Sequence, residues 1–362
     1  MVGIDAPVGA GLTDGRAFRL NFLLHLDRDI PPRQAYREAV DLFVAAEELG
    51  YDSGWVIQRH FRQGNEHISS PLVVLAAIAE HTHRIRLGTG VLVLPLEDPL
   101  RVAEDATSLD EISSGRLELG IGSGPFPGAW EAFGRDLAER HDLFGRSLAR
   151  LHELLVGRAV NNLGEVLHPP GDALRERLWQ ATTSNPDHAH EAATAAAIAG
   201  DGLQLSRATA WQGGTTRDAQ RRQAAIIEAY RAGWTDPGRS PRVQVSRAVY
   251  PHADRALAQQ LVTPGVRRWQ SWSTSGEPKN AQTVDDYLAA DRALIGPAEA
   301  LAGELIADPA LRHATDLLVS FVPGVPDHDE HLRLLESTAR ELAPLLGWRP
   351  PADSPVHSPV PS

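Results

Sequence analysis

Short apolar runs alternate with amphipathic segments along most of the chain. The run RLNFLLHLD (Arg19 to Asp27) has the length and apolar content of a buried strand. The segment after it, PRQAYREAVDLFVAAEELG, has apolar positions about 3.6 residues apart and ends on Gly50, as an amphipathic helix does. The same unit recurs to the end of the chain. The predicted strands are RLNFLLHLD, YDSGWVI, IRLGTGVLVLP, RLELGIGSG, RLWQATTS, DGLQLSR, RVQVSRAVY and TDLLVSFVPG.

Eight strand–helix alternations predict parallel strands joined by crossover helices, because parallel neighbours need long connections. A parallel sheet of eight can close, so we predict an α/β fold, a (β/α)₈ TIM barrel with insertions. A doubly wound open sheet is the alternative, but the turn after the first strand, HLDRDIPP, has no glycine for a phosphate fingerprint. In Ser70-Pro71 and Asp98-Pro99, the residue before the proline is predicted to cap the following helix.

Composition sets the expected domain plan and excludes several function classes. We expect a flexible start (1–16), a single barrel (17–348) with an insertion at about 251–295, and a disordered tail (349–362) rich in Pro and Ser. A net charge of -12 argues against a nucleic-acid partner. The chain has no cysteine, which excludes disulfides and thiolate catalysis, and Lys279 is its only lysine. With no apolar run of membrane length and no signal-like start, we expect a cytoplasmic protein without a membrane partner.

Position relative to the strands sorts the histidines, because barrel enzymes place their active sites at the C-terminal strand ends. His81 and His83 precede the third strand, at the opposite end, and are expected to cap a helix. Arg59 and His60 follow the second strand and are candidate catalytic residues. A hydrogen-bonded loop histidine remains the alternative for His60.

Two further strand ends carry candidate binding residues. The sequence GIGSG (Gly120 to Gly124) departs from the dinucleotide fingerprint at Pro125, and indicates either glycine packing or the close approach of a planar ligand. The turn ATTSNP brings Thr182, Thr183 and Ser184 to a helix start, which suits either a phosphate group or a plain capping turn. Ser206 and Arg207 would add a donor and a cation to the same corner. The acidic-histidine clusters PDHAHE and DHDEH are interpreted as solvated helix starts, so no metal is expected.

The run from Ile85 to Gly124, IRLGTGVLVLPLEDPLRVAEDATSLDEISSGRLELGIGSG, resembles strands 3 to 4 of bacterial luciferase-like flavin monooxygenases. WVIQRHF, ATTSNP and GPAEALAGEL resemble other segments of that family, and the resemblance covers most of residues 19 to 346. It implies a luciferase-like barrel that binds FMN or a deazaflavin at the C-terminal strand ends. Pro125 stands where the deazaflavin branch often has an acid, which favours FMN.

The resemblance also implies roles for individual residues. Gly90 and Val91 would lie against the flavin ring, joined by a cis peptide bond in a strand 3 bulge, and Ser123 would lie near the ribityl-phosphate chain. Thr183 and Ser184 would hold the phosphate. His60 would stand near the reacting face of the flavin, and Arg59 or Arg247 could bind an anionic group.

The expected function is an FMN-dependent monooxygenase that uses reduced FMN, supplied by a flavin reductase, and O₂ to oxygenate a small organic substrate. A deazaflavin-dependent hydride transferase and a non-catalytic flavin-binding barrel are the alternatives. The substrate pocket is expected among Arg62 to Ser69, Pro125 to Arg135 and the 251–295 insertion. The predicted second helix, PLVVLAAIA, is apolar on all sides, and together with the resemblance this predicts a homodimer.

Overall fold

The computed structural model describes residues 8–9, 11–12, 15–26, 30–61, 67–182, 186–209, 214–272, 283–321 and 325–351. The strands are β1 (Arg19–Leu24), β2 (Ser53–Val56), β3 (Arg86–Thr89), β4 (Leu92–Val93), β5 (Leu117–Gly122), β6 (Leu178–Ala181), β7 (Gly202–Leu205), β8 (Val243–Pro251), β9 (Leu294–Gly296) and β10 (Asp316–Ser320). The helices are α1 (Pro32–Glu48), α2 (Pro71–Ala79), α3 (Pro99–Ile112), α4 (Pro127–Ala132), α5 (Arg140–Leu155), α6 (Asp172–Arg175), α7 (Pro186–Ile198), α8 (Thr216–Gly233), α9 (Arg255–Trp272), α10 (Val284–Asp291), α11 (Ala298–Ile306), α12 (His328–Ser337) and α13 (Ala343–Leu345).

The sheet closes on itself as a parallel barrel. Its strand order is β10-β1-β2-β3-β5-β6-β7-β8, and β8 also pairs with β10. The predicted eight-stranded barrel is therefore confirmed. The short β4 continues β3 and pairs with β5, while β9 pairs in parallel with the C-terminal residues of β8.

Side-chain alternation divides each strand into an outer and an inner face. Outward-facing residues such as Phe22, Leu119 and Val245 join the large apolar core beneath the helices. Inside the barrel, Trp55 and Trp179 meet edge to face with ring centroids 5.8 Å apart. A Cβ at Gly88 would collide with the Trp55 ring, so this glycine makes room for the tryptophan.

Helix starts follow the predicted capping chemistry in one case and depart from it in another. Asp98 accepts hydrogen bonds from the backbone N–H groups of Leu100 and Arg101, which confirms it as the cap of α3. Ser70 makes no side-chain capping bond to α2, so that prediction was wrong. The proline at the first position of α2 already removes one unpaired N–H, which lessens the need for a cap.

The expected insertion at 251–295 contains α9, α10 and β9, with 273–282 outside the described residues. Most of the expected tail, 352–362, also lies outside them. At the start of the chain, Val8 is buried in the core and the Gly9 N–H donates to the Leu311 carbonyl. Within the described residues, no helix is long and apolar enough to cross a membrane.

Candidate active site

The predicted site residues follow five neighbouring strands of the barrel. Arg59 and His60 follow β2, Gly90 and Val91 follow β3, and Ser123 follows β5. Thr182 follows β6, and Ser206 and Arg207 follow β7. Because β2, β3, β5, β6 and β7 are consecutive in a parallel barrel, these residues form one arc at its C-terminal mouth. Thr183 and Ser184 lie outside the described residues.

The floor of this arc is made by glycines and a bulge in β3. Between the paired residues Gly88–Glu118 and Leu92–Ile121, the β3–β4 segment has one residue more than β5 has. This extra residue forms the bulge. Thr89 bridges the gap: its hydroxyl donates to the Gly120 carbonyl at 2.6 Å and accepts from the Gly120 N–H at 2.9 Å.

The Gly90–Val91 peptide bond is cis, as predicted. A Cβ at Gly90 would lie 3.1 Å from Leu23 Cδ1, and one at Gly122 would lie 2.7 Å from Val91 Cγ2. Both glycines face the barrel interior at its mouth, where any larger residue would fill the space. The backbone at the half-buried Gly90 is therefore open to a planar ligand, whereas Gly122 is buried against Val91.

His60 lies half-buried above one side of this floor. Its ring packs edge to face on Phe133, with centroids 4.9 Å apart. Its Nε2 atom is buried and has no hydrogen-bond partner among the described residues. Burial lowers the pKa of His60 below its ordinary value, and the negative charge of Glu97 opposes this effect only in part. The neutral imidazole is therefore favoured near neutral pH.

A buried glutamine ties the end of β2 to the neighbouring loops. Gln58 donates to the Glu97 carboxylate at 2.9 Å and to the Ser69 carbonyl at 3.1 Å, and it accepts from the Val93 N–H at 2.6 Å. The sequence analysis did not predict a role for Gln58 or Glu97. Only their position after a strand could have indicated one. They fix the backbone next to His60 and place a carboxylate near its ring.

On the other side of the arc, hydroxyl groups meet. Thr182 donates to Thr209 at 3.3 Å, and Ser206 lies 3.2 Å from the same Thr209 oxygen. Gln223 of α8 donates to the carbonyls of Ser206 and Thr209, which fixes the turn after β7. The structure thus brings Thr182 and Ser206 to one corner, as predicted, through Thr209, which was missed in the sequence.

Two arginines were expected to bind anionic groups, and the structure separates them. Arg59 remains at the mouth, with its guanidinium carbon 4.2 Å from the centre of the Phe126 ring. Arg247 is buried on the outer face of β8 and pairs with Asp308 at 2.7 Å and with Gln223 at 2.8 Å. The prediction for Arg247 was wrong, because side-chain alternation turns residue 247 towards the helices.

These features fit a flavin. The glycine floor suits a flat ring, and the Thr182–Ser206 corner offers neutral hydroxyl groups suited to a phosphate. In the part of the chain that the structure describes, no three His, Asp or Glu side chains are grouped in a way that could hold a metal ion.

Comparison with known proteins identifies relatives. The family described as luciferase-like monooxygenase matches residues 18–312. One relative is 4-hydroxyprotoasukamycin monooxygenase of Streptomyces nodosus subsp. asukaensis, 43% identical over 93 residues, or 26% of this chain and 25% of that protein. The chain spans only 25% to 42% of the length of the first curated relatives that it matches.

Solved structures share the fold along almost their whole length. Monooxygenase RslO1 from Streptomyces bottropensis superposes with a TM-score of 0.77 at 22% identity, over 90% of this chain and 99% of that one. The oxygenating constituent of 3,6-diketocamphane monooxygenase from the CAM plasmid of Pseudomonas putida, in complex with FMN, gives 0.69 at 18% identity, over 90% and 98%. An F420-dependent secondary alcohol dehydrogenase gives 0.64 at 16% identity, over 91% and 99%.

Proposed function

This chain belongs to the luciferase-like monooxygenase family and is an enzyme of it, and from that premise we propose that it is an FMN-dependent monooxygenase. It would use reduced FMN, delivered by a separate flavin reductase, and O₂ to oxygenate a small organic substrate. The observation that carries the proposal is the continuous arc of β2, β3, β5, β6 and β7, whose ends carry a glycine floor between a histidine and a hydroxyl corner.

Each side of the arc has its own task in this proposal. Gly90 and Val91 would lie under the flavin ring, Ser123 would lie beside the ribityl chain, and Thr182, Ser206 and Arg207 would hold the phosphate. The same role expected of Thr183 and Ser184 falls outside the described residues. When bound, the reduced flavin supplies the electrons that activate O₂, while the protein binds, orients and excludes water.

His60 is the proposed catalytic residue near the flavin. Its buried Nε2 can hold or transfer a proton at the polar edge of a ligand, because the neutral ring has both a donor and an acceptor nitrogen. Arg59 completes the same side of the mouth, stacked on Phe126.

A deazaflavin-dependent hydride transferase on the same barrel is the second candidate. The F420-dependent dehydrogenase that shares this fold supports it. Two observations support the first candidate, the FMN-dependent monooxygenase. The diketocamphane monooxygenase constituent was solved in complex with FMN, and Pro125 stands where the deazaflavin branch often has an acid. A non-catalytic flavin-binding barrel is disfavoured, because His60 Nε2 at the mouth has no hydrogen-bond partner within the part of the chain that the structure describes.

Cofactor titration tests the proposal. Purified protein should bind FMN with saturable quenching of flavin fluorescence and should bind a deazaflavin more weakly. With a reductase, NADH and FMN, it should then support O₂-dependent oxygenation of an organic substrate. The T182A/S206A double variant should bind FMN at least about tenfold more weakly, because the loss of even one hydrogen bond to a charged group costs about 1.5–3 kcal/mol.

The matched control is Ser108→Ala on the exposed face of α3, which should leave FMN affinity unchanged. Tight binding of a deazaflavin alone would replace the first candidate with the second. Wild-type affinity in the double variant would remove the phosphate from the corner after β6 and β7.

The remaining expectations concern partners and location. We propose a homodimer through α1 and α2, supported by Val73, which is 70% exposed on α2, and by the groove that Tyr36, Val40 and Val74 line beside it. A monomer mass in light scattering at micromolar concentration would refute the dimer. The acidic, cysteine-free composition supports a cytoplasmic location.

A further inference from the structure

Two loops at the mouth meet through aromatic rings. Arg59, His60 and Phe61 follow β2, and each contacts a ring of the segment after β5. Arg59 lies over Phe126, His60 packs on Phe133, and Phe61 lies 5.9 Å from Phe133, centroid to centroid. The two loops thus form one continuous strip, which we call the aromatic strip.

The rings of this strip are exposed although they touch each other. Phe61 is 70% exposed, Phe133 41% and Phe126 36%, whereas the other phenylalanines are buried or half-buried. Exposed phenylalanine is unfavourable in water, and a group of such rings on one surface is typical of a binding site. The strip therefore presents aromatic faces and edges to a ligand.

Two polar side chains interrupt this apolar surface: the guanidinium of Arg59, which lies over Phe126, and the imidazole of His60. His60 Nε2 is buried beside Phe133 and lacks a hydrogen-bond partner among the described residues. Buried polar atoms without partners are rare, and a ligand group that bonds to this atom would remove the cost of its desolvation. A hydroxyl group suits either tautomer of the imidazole, because it can donate and accept.

We propose that the aromatic strip binds the substrate, and that the substrate is a planar aromatic compound with a ring hydroxyl directed at His60 Nε2. The inference rests on the proposed function for the position of the flavin, which occupies the glycine floor while the substrate stacks on Phe126 and Phe133. Aromatic ligands gain from offset or edge-to-face contact with such rings beyond the area that they bury.

Binding of three small probes tests this substrate class. The probes are 2-naphthol, naphthalene and decahydro-2-naphthol, which differ in the hydroxyl group or in aromaticity and little in size. Calorimetry with the full chain, with and without oxidised FMN, should show that 2-naphthol binds best in both conditions. Phe133→Leu should weaken 2-naphthol about three- to tenfold and leave decahydro-2-naphthol unchanged, because leucine keeps the apolar contact but not the ring.

Further variants separate the parts of the strip. Phe126→Leu should act as Phe133→Leu does, so the test does not depend on one variant. His60→Leu should remove the preference for 2-naphthol over naphthalene. Phe144→Leu, which removes a half-buried ring of α5 that packs on the core, is the matched control and should change no probe affinity.

Four results would overturn the inference. They are equal binding of 2-naphthol and decahydro-2-naphthol, unchanged affinities in both strip variants, displacement of 2-naphthol by FMN, and probe affinity that falls as protein concentration rises. Displacement would assign the rings to the flavin, and concentration dependence would assign them to a second copy of the chain. If 2-naphthol binds as expected but FMN does not bind, the proposed function fails and the aromatic site stands.

Discussion

The two ends of the barrel interior differ in how their polar groups are satisfied. At the N-terminal strand ends, Asp316 accepts from Arg19 and Asn21, and Glu118 accepts from Arg86 and Trp179. Burial alone would raise the pKa of Asp316, but Arg19 and the hydrogen bonds hold it below its ordinary value.

At the C-terminal mouth, the interior positions hold glycines instead of charged partners, and His60 Nε2 is left without one among the described residues. Charges buried at the lower end have partners, so the loss of one partner there would leave an uncompensated buried charge and destabilise the fold. At the upper end, the glycine positions and a polar atom that lacks a partner among the described residues suit a ligand. One set of strands thus carries paired charges at its N-terminal ends and the candidate binding site at its C-terminal ends.

The largest expected effect comes from two glycines of the β3 segment, Gly88 and Gly90, which lie on the same face. Their substitutions should affect stability and cofactor binding differently. Gly88→Ala would place a Cβ against the Trp55 ring and should lower the free energy of unfolding by about 2 kcal/mol. Gly90→Ala meets only the flexible tip of Leu23 at 3.1 Å and should change stability by less than about 1 kcal/mol. Urea unfolding of both variants measures this.

The same pair should behave in the opposite way towards the cofactor. Gly90→Ala adds a methyl group to the proposed flavin floor and should weaken FMN binding, whereas Gly88→Ala, assayed well below its unfolding transition, should bind FMN nearly as the wild type does. If both variants lost the same free energy of unfolding, or if only Gly88→Ala weakened FMN binding, the proposed difference between the two ends of the barrel would be wrong.

A smaller effect concerns the protonation of His60. Because burial outweighs the charge of Glu97, its pKa should lie below about 6.5, and Glu97→Gln should lower it further. The folded state then binds fewer protons than the unfolded state between the two pKa values. His60 should therefore reduce stability as the pH falls through about 6.5 towards its folded pKa, and have no effect at higher pH.

NMR titration of the histidine ring signals, with His60 assigned by its loss in His60→Asn, measures this pKa directly. Glu104→Gln on the outer face of α3 is the control carboxylate and should not move it. A His60 pKa above its ordinary value would mean that Glu97 dominates and that the ring is cationic at the mouth.

The sequence predicted the barrel because strand and helix periods depend on local spacing, which eight repeats reinforce. It also placed Thr182 and Ser206 at one corner, because parallel strands bring their C-terminal ends together. The cis bond at Gly90–Val91 came from the family resemblance, since no local propensity predicts it.

The rest of the site depends on contacts between distant segments. Arg247 was a candidate because it belongs to a predicted strand, but the direction of its side chain depends on register, and it points to Asp308, which follows α11. Gln58 and Thr209 acquire their roles only when the loops meet. In the sequence, only their position in a loop after a strand indicated a role for Phe126 and Phe133. Their contact with residues 59–61 forms only when the chain is folded, so the sequence could not predict it.

Hydrogen–deuterium exchange with and without FMN tests the central claim, that the cofactor binds at the C-terminal mouth, without changing a residue. Peptides that cover 57–61, 90–94, 122–126 and 206–209 should exchange more slowly when FMN is present, because these segments follow four of the five strands of the arc, β2, β3, β5 and β7. Peptides that cover 81–86, 113–117 and 199–202, at the opposite end, should exchange at the same rate in both conditions. Protection confined to the mouth is the predicted result, and protection at the opposite end, or none at the mouth despite saturating FMN, would contradict the account.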